Sequence, residues 1–199
     1  SDVCSSDLPR VGIAALASGD WHLVIEQLLA HALAVRGADV EMLVCDVPTR
    51  PHCDERTCAS RHPDVCTGCA PAKLDLLDAG QVPWRGLSTC LAADAVTAAK
   101  ATIAALPDDE LDQFSYRGWP LAQWTYVSAC HYLQRDARGD TPEISDARRR
   151  LLATGIVLID GIGAWLDRYK PDVVLVESGA HLEWRIAREL ARDRKSTRL

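Results

Sequence analysis

Five of the eight cysteines in the 199-residue chain lie between positions 45 and 69, and the last four, Cys53, Cys58, Cys66 and Cys69, are spaced C-x4-C-x7-C-x2-C. Four thiolates in one short segment suit a tetrahedral Zn²⁺ site, since structural zinc takes about four soft ligands and leaves no open position. The tightest pair is Cys66-Thr67-Gly68-Cys69, read here as a turn, and His52 and His62 are each able to replace a thiolate. Structural zinc, an iron–sulfur cluster and ordinary reduced or disulfide-bonded thiols all remain open. A redox Cys-x-x-Cys pair is the weaker reading, because that motif opens a helix directly after a strand and here it is expected deep in a loop.

Two polar segments form a second group of candidates. The first is Ser18-Gly19-Asp20-Trp21-His22, in which the imidazole of His22 could act as a general base. Asp20 is an alternative base or merely a helix N-cap, and Gly19 is expected to contact substrate. The second is Glu177-Ser178-Gly179-Ala180-His181, where the glycine lets a ligand approach the backbone and Glu177, Ser178 and His181 are expected to contact it. The plainer alternative is a strand-to-helix turn with a capping Ser178 and a solvated His181. Neither segment is a G-x-G-x-x-G or a G-x-x-x-x-G-K-[ST] loop, so no dinucleotide cofactor and no P-loop nucleotide site is expected.

Other residues with chemical potential have simpler uses. Tyr116, Trp119, Trp124, Tyr126 and His131 recur at helical spacing, which favours a core role over stacking on a sugar or base. Arg135 and Arg138 could hold phosphate or end a solvated helix, Arg148-Arg149-Arg150 reads as a solvated helix face, and Cys90 and Cys130 read as core residues.

The elements needed to position these groups follow from the apolar pattern. Val11 to Ala17 is a continuous apolar run, hence a buried strand, followed by a turn and a helix over Trp21 to Val35 that Gly37 stops. Leu23, Ile25, Leu28, Leu29, Ala32 and Leu33 are expected to form its apolar side. Val40 to Val44 is a second strand, so strand, helix and strand make a right-handed βαβ unit with a parallel sheet. After Asp46 the periodicity stops for about two dozen residues rich in Pro, Cys and His, a loop long enough to need a function. Helices are expected over Leu87 to Leu106, Gly118 to Arg135 and Ile144 to Tyr169. Lys170-Pro171-Asp172 then precedes the strand Val-Val-Leu-Val-Glu and a helix over Leu182 to Arg192. The fold class is therefore α/β: a Rossmann-like parallel sheet with helices on both faces, a helical middle section and a Cys-rich loop after the second strand.

Composition sets the outer bounds. At 48% hydrophobic and 25% charged residues with a formal net charge of −6, the chain is that of a globular protein without a basic footprint for nucleic acid. No apolar run approaches the ~20 residues of a membrane span and no signal-peptide series is present, so a cytoplasmic location is expected. The terminal segments 1–8 and 194–199 are patternless and resemble translated sequencing-adapter read-through of the kind found at the ends of metagenomic contigs. They are set aside as non-native tails, which leaves one domain over 9–193 and the expectation that the natural protein continues beyond both ends.

The strings LAHALAVRGADVEMLVCD, CTGC, TYVSACHYLQRD and YKPDVVLVESGAH, in that order, resemble the N-terminal half of bacterial GT-B glycosyltransferases of surface-carbohydrate or capsule polysaccharide biosynthesis. The resemblance spans roughly Pro9 to Asp193, and its most particular feature is the VCD strand end joined to clustered cysteines. It implies one half of a GT-B fold, the acceptor-side domain of an enzyme that transfers a sugar from a nucleotide-sugar donor. The donor and the glycan acceptor would be held together with a C-terminal domain that this chain lacks. It carries over the loops of Gly19 and His22 and of Ser178 and His181 as cleft-facing turns, and Cys45 with the later cysteines as the cysteine cluster. In such a transfer a base takes the acceptor proton, and His22 or Asp20 is the candidate. Rivals are a nucleotide-sugar epimerase of the same fold, an iron–sulfur redox module and a non-catalytic metal-stabilised binding domain.

Overall fold

The computed structural model describes residues 8–16, 20–46, 65–139, 141–194 and 197–198. Strand β1 (Arg10–Ala15), helix α1 (Asp20–Val35) and strand β2 (Asp39–Val44) form the expected βαβ unit, with β1 and β2 parallel and Gly12 opposite Glu41. Helix α2 (Val65–Gly80) and strand β3 (Trp84–Gly86) repeat the pattern. A helical section follows, with α3 (Ala95–Ala104), α4 (Leu121–Leu133) and the 28-residue α5 (Pro142–Tyr169). Strand β4 (Val173–Leu175), helix α6 (Leu182–Asp193) and the two-residue edge segment β5 (Thr197–Arg198) complete the order. The sheet is parallel, in the order β3-β2-β1-β4-β5, so the direction in which strands are added reverses between β1 and β4.

Alternation along β1 separates two cores. Val11, Ile13 and Ala15 join Val40, Met42 and Val44 under α1 and α2, while Ala14, Leu16 and Leu43 belong to the larger core under α4, α5 and α6. Helix α5 is seated on the sheet through Gly12. A Cβ there would lie 2.4 Å from Cη2 of the fully buried Trp165, so only glycine lets the indole rest on the strand. Trp165 Nε1 donates to Glu41 Oε1 at 2.8 Å, and Glu41 accepts a two-pronged contact from Arg85 at 3.0 and 2.8 Å. The carboxylate inside the layer is thereby compensated.

Several sequence expectations need correction. The apolar side of α1 is only partly as expected: Leu23 is buried and Leu33 packs against the core, together with Gln27 and Ala30, whereas Ile25, Leu28 and Leu29 are 53%, 64% and 43% exposed. Gln27 turns inward because its Nε2 donates to the Leu76 carbonyl at 3.0 Å, and Gly80 leaves space for it. The Cys-rich segment is not loop throughout, since α2 begins at Val65. Strand β3 was not anticipated, and the helix expected from Leu87 begins only at Ala95. Asp46 at the end of β2 accepts from the Ser88 amide at 2.8 Å and from the Ser88 hydroxyl, which holds Leu87–Cys90 as a 3-10 turn. The arginine triplet is not simply a solvated face. Arg149 donates to the Ile103 and Leu106 carbonyls and to Asp108, closing the end of α3, and Arg148 reaches Asp112 at 2.9 Å with its side chain 15% exposed. Only Arg150, paired with Asp146 one turn away, matches the expected surface role.

Among the residues set aside as a tail, Arg194 grips Asp167 at 2.7 and 3.2 Å and Thr197–Arg198 pairs with β4.

Candidate functional site

In an open parallel sheet the ligand crevice opens where the strand order reverses, beyond the carboxyl ends of the two strands concerned. Here those are β1 and β4, paired with Ile13 opposite Leu175. The chain leaving β1 enters the first turn of α1, which carries His22, and the chain leaving β4 carries Glu177. The reversal therefore brings together two residues 155 positions apart, with His22 Nε2 2.9 Å from Glu177 Oε1. The side chains are 19% and 32% exposed respectively, so Glu177 is the member that faces solvent more fully. A cavity of about 260 Å³ adjoins the pair, walled by Ile13, Ile25, Leu29, Leu175 and Val176, with Glu26 as a second carboxylate.

The chemistry available at this point is proton transfer and hydroxyl recognition. A carboxylate hydrogen-bonded to one imidazole nitrogen fixes the ring orientation, while the carboxylate's second oxygen can accept from a ligand O–H. The apolar wall beside it suits a ligand with one uncharged, carbon-rich face.

The other expected site residues distribute differently. Gly19 lies outside the described residues, and Asp20 is the first residue of α1. Ser178 Oγ accepts from the Ala180 amide at 3.4 Å and organises its own turn. It does not cap α6. That helix starts at Leu182, whose amide donates at 3.0 Å to Oγ of the fully buried Ser128 on α4. Gly179 leaves room for the Arg188 guanidinium, which Glu189 holds at 3.0 and 2.8 Å. His181 is half-buried, not solvated. Its ring meets His131 edge-on at 5.0 Å and Trp184 at 5.7 Å, so the structure turns it toward the α4–α6 contact.

Of the cysteines, Cys53 and Cys58 lie outside the described residues, as do His52 and His62. Cys66 and Cys69 fall within the first turns of α2. The expectation that CTGC forms a loop turn is corrected by this placement. Cys45 is buried at the end of β2, and Cys130 accepts from the Ala137 amide at 3.4 Å. No group of three or more potential metal ligands occurs among the described residues. Arg135 and Arg138, candidates for phosphate, are each paired with a carboxylate, Glu143 at 2.7 Å and Asp136 at 3.2 Å.

Glu26 was missed by sequence reasoning. It carries no motif, and its only signal is that it lies one helical turn after His22 on the same face.

No family model, curated protein or solved structure matches the chain. The fold itself defines the class: a Rossmann-like α/β domain with an imidazole–carboxylate pair at its switch point. Among the described residues no helix is long and apolar enough to cross a membrane.

Proposed function

We propose that this domain is the acceptor side of a glycosyltransferase that extends a surface or capsular polysaccharide from a nucleotide-sugar donor, with His22 and Glu177 receiving the acceptor's proton. The observation that carries this reading is the 2.9 Å contact between His22 and Glu177 at the switch point, beside an apolar wall on which a sugar ring could lie. In the reaction, the acceptor hydroxyl oxygen forms a bond to the anomeric carbon while the bond from that carbon to the diphosphate breaks. The proton passes to the pair, and the diphosphate leaves with the bonding electrons. Glu177 is the group that would meet the hydroxyl, since it is the more exposed partner, and His22 would orient it and share the proton. Donor binding and stabilisation of the diphosphate would fall to a second domain.

The test is sugar transfer by the complete gene product, with His22→Ala and Glu177→Gln assayed beside the parent. General acid–base groups contribute about 10²- to 10⁴-fold, so turnover is expected to fall by at least the lower figure in both variants with donor binding retained. Near-normal turnover in either would end this assignment.

Cys53, Cys58, Cys66 and Cys69 would then form a structural zinc site, with Cys66 and Cys69 contributed from the start of α2. The same placement at the start of a helix favours a second reading, thiol–disulfide exchange by Cys66 and Cys69, because a helix N-terminus lowers a thiol's pKa. About one zinc per chain supports the first. Zinc-free protein with a reversible Cys66–Cys69 disulfide supports the second.

A further inference from the structure

Helix α1 is apolar on both sides. Its inner side rests on the β1–β2 core through Leu23 and Ala30. Its outer side carries Val24, Ile25, Leu28, Leu29 and Val35, five of the seven large apolar side chains that stand exposed among the described residues. Successive residues of a helix are turned by about 100°, so these five share one arc of about 140° that faces away from Leu23 and Ala30. A helix that is apolar all round is covered all round, and this arc is open to solvent in the single chain.

The crest of the arc is Val24, Leu28, Ala32 and Val35, spaced i, i+4, i+8, i+11, all exposed, with Val35 the most so at 87%. The switch-point cavity lies along one flank of this crest, where His22, Ile25, Glu26 and Leu29 line it. Arg36 follows directly on the C-terminal end of α1, on the same flank as Ile25 and Leu29.

The charges along this strip select its occupant. No carboxylate lies within the arc, whose ionisable residues are His31 at one edge and Arg36 at the end. The Arg36 guanidinium donates to the Ala32 carbonyl of its own last turn at 3.2 Å and has no carboxylate partner among the described residues. At the opposite end of the same flank stand Glu26 and Glu177. A second copy laid antiparallel therefore brings each cation to the other copy's carboxylates, and a chain of net charge −6 meets itself without facing like charges. Parallel pairing would instead set the two arginines side by side.

We infer that α1 is the interface of a two-fold dimer of this chain, in which the two copies of α1 pack antiparallel and each lends Arg36 to the other's switch-point cavity. With the axis at the level of Ala30, Leu28 faces the partner's Ala32, Ile25 faces the partner's Val35, and Val24 is level with the partner's Arg36. A two-fold axis lying between antiparallel helices and perpendicular to them keeps the same flank on the same side in both copies. The partner's Arg36 thus arrives on the cavity flank, between the levels of His22 and Glu26, and the site of one chain is completed by the second. The pairing stands independently of the transfer reaction.

The area sets the strength of the dimer. The exposed parts of the five side chains amount to roughly 500 Å² per copy, so two copies bury about 1,000 Å², the lower limit for a specific interface. Such a dimer dissociates on dilution in the micromolar range.

Sedimentation velocity of the whole chain between about 1 and 200 µM tests this. The parent is expected to pass from monomer to dimer with no larger species. Leu28→Glu and Val35→Glu, both at exposed positions, should remain monomeric at every concentration with the melting temperature unchanged, and either decides if the other disrupts folding. Arg36→Glu should weaken association at least about tenfold. Val127→Glu, at an exposed apolar residue of α4, should associate as the parent does. A parent that stays monomeric, growth beyond the dimer, a dimer that survives Leu28→Glu and Val35→Glu, or equal weakening by Val127→Glu overturns the proposal. Association lost in the two α1 variants but indifferent to Arg36→Glu overturns the antiparallel arrangement and the shared cavity.

Discussion

Replacing Gly12 by alanine should damage this fold out of proportion to one added methyl group. The new Cβ would sit 2.4 Å from Trp165 Cη2 and 2.9 Å from Cζ2, where van der Waals contact requires roughly 3.5–4.0 Å. The indole has little freedom to retreat. It is fully buried, its Nε1 is tied to Glu41 at 2.8 Å, Glu41 is held by Arg85, and Tyr169 stacks at 6.0 Å. Overpacking of this kind costs about 1–3 kcal/mol, and the reduced entropy of an unfolded alanine returns about 0.4–1 kcal/mol. With the indole unable to retreat, the cost lies at the upper end of that range, so the net loss is roughly 2–2.6 kcal/mol, equivalent to a fall in Tm of about 4–10 °C for a chain of this size. Urea unfolding followed by near-UV circular dichroism measures it. The structure also dictates the remedy: Trp165→Phe removes both contacting atoms, so in a double-mutant cycle the pair should show coupling of at least about 0.5 kcal/mol. A Gly12→Ala protein within about 0.5 kcal/mol of the parent, or additive single and double variants, would refute the packing of α5 on β1 through this residue.

Two glycines on α5 should respond in opposite directions. Gly155→Ala, pressed against Leu121, is expected to destabilise by about 1–3 kcal/mol, whereas Gly163→Ala should stabilise by up to about 1 kcal/mol; thermal melts of the two distinguish them. Ser128→Ala leaves the Leu182 amide at the buried start of α6 without its acceptor and should cost about 1–3 kcal/mol, readable as faster hydrogen exchange through α6. Hydrogen bonds from Arg194 and from Arg149 hold the carboxyls of Asp167 and Asp108 below the usual carboxylate range. Their contribution is complete above the unfolded-state value near 3.9 and disappears as pH falls through the lower folded-state values. Asp167→Asn and Asp108→Asn should therefore flatten the loss of stability below about pH 4, and an unchanged acid profile in both would show the pairs to be idle.

Much of the fold was legible because the sheet interior is written in continuous apolar runs. The strands at Val11, Val40 and Val173 stand out on that ground, and the helices between them show a 3.6 period or a clear stop. Strand β3 was illegible for a physical reason. It is three residues long, and Arg85 interrupts any apolar pattern, acceptable only because Glu41 on the adjacent strand answers its charge. Helix α1 misled because its apolar residues are largely exposed and an inward glutamine is satisfied by a carbonyl 49 positions away. The capping of α6 from Ser128 likewise depends on a neighbour in space, so the nearby Ser178 was the natural but mistaken choice.

The candidate site divides in the same way. His22 and Glu177 were each visible as polar residues in turns beyond apolar runs, since residue type and local pattern suffice for that. Their contact was not visible, because it depends on β4 lying beside β1, a consequence of chain reversal through more than a hundred intervening residues.

The most direct test of the switch-point assignment is binding of uncharged oligosaccharides to this chain by ligand-observed NMR, comparing the parent with Glu177→Gln and with the remote surface variant Asp146→Asn. The account predicts saturation transfer to the sugar in the parent and in Asp146→Asn, and its loss in Glu177→Gln at unchanged thermal stability. Transfer that persists in Glu177→Gln, or that is absent in the parent, would contradict it.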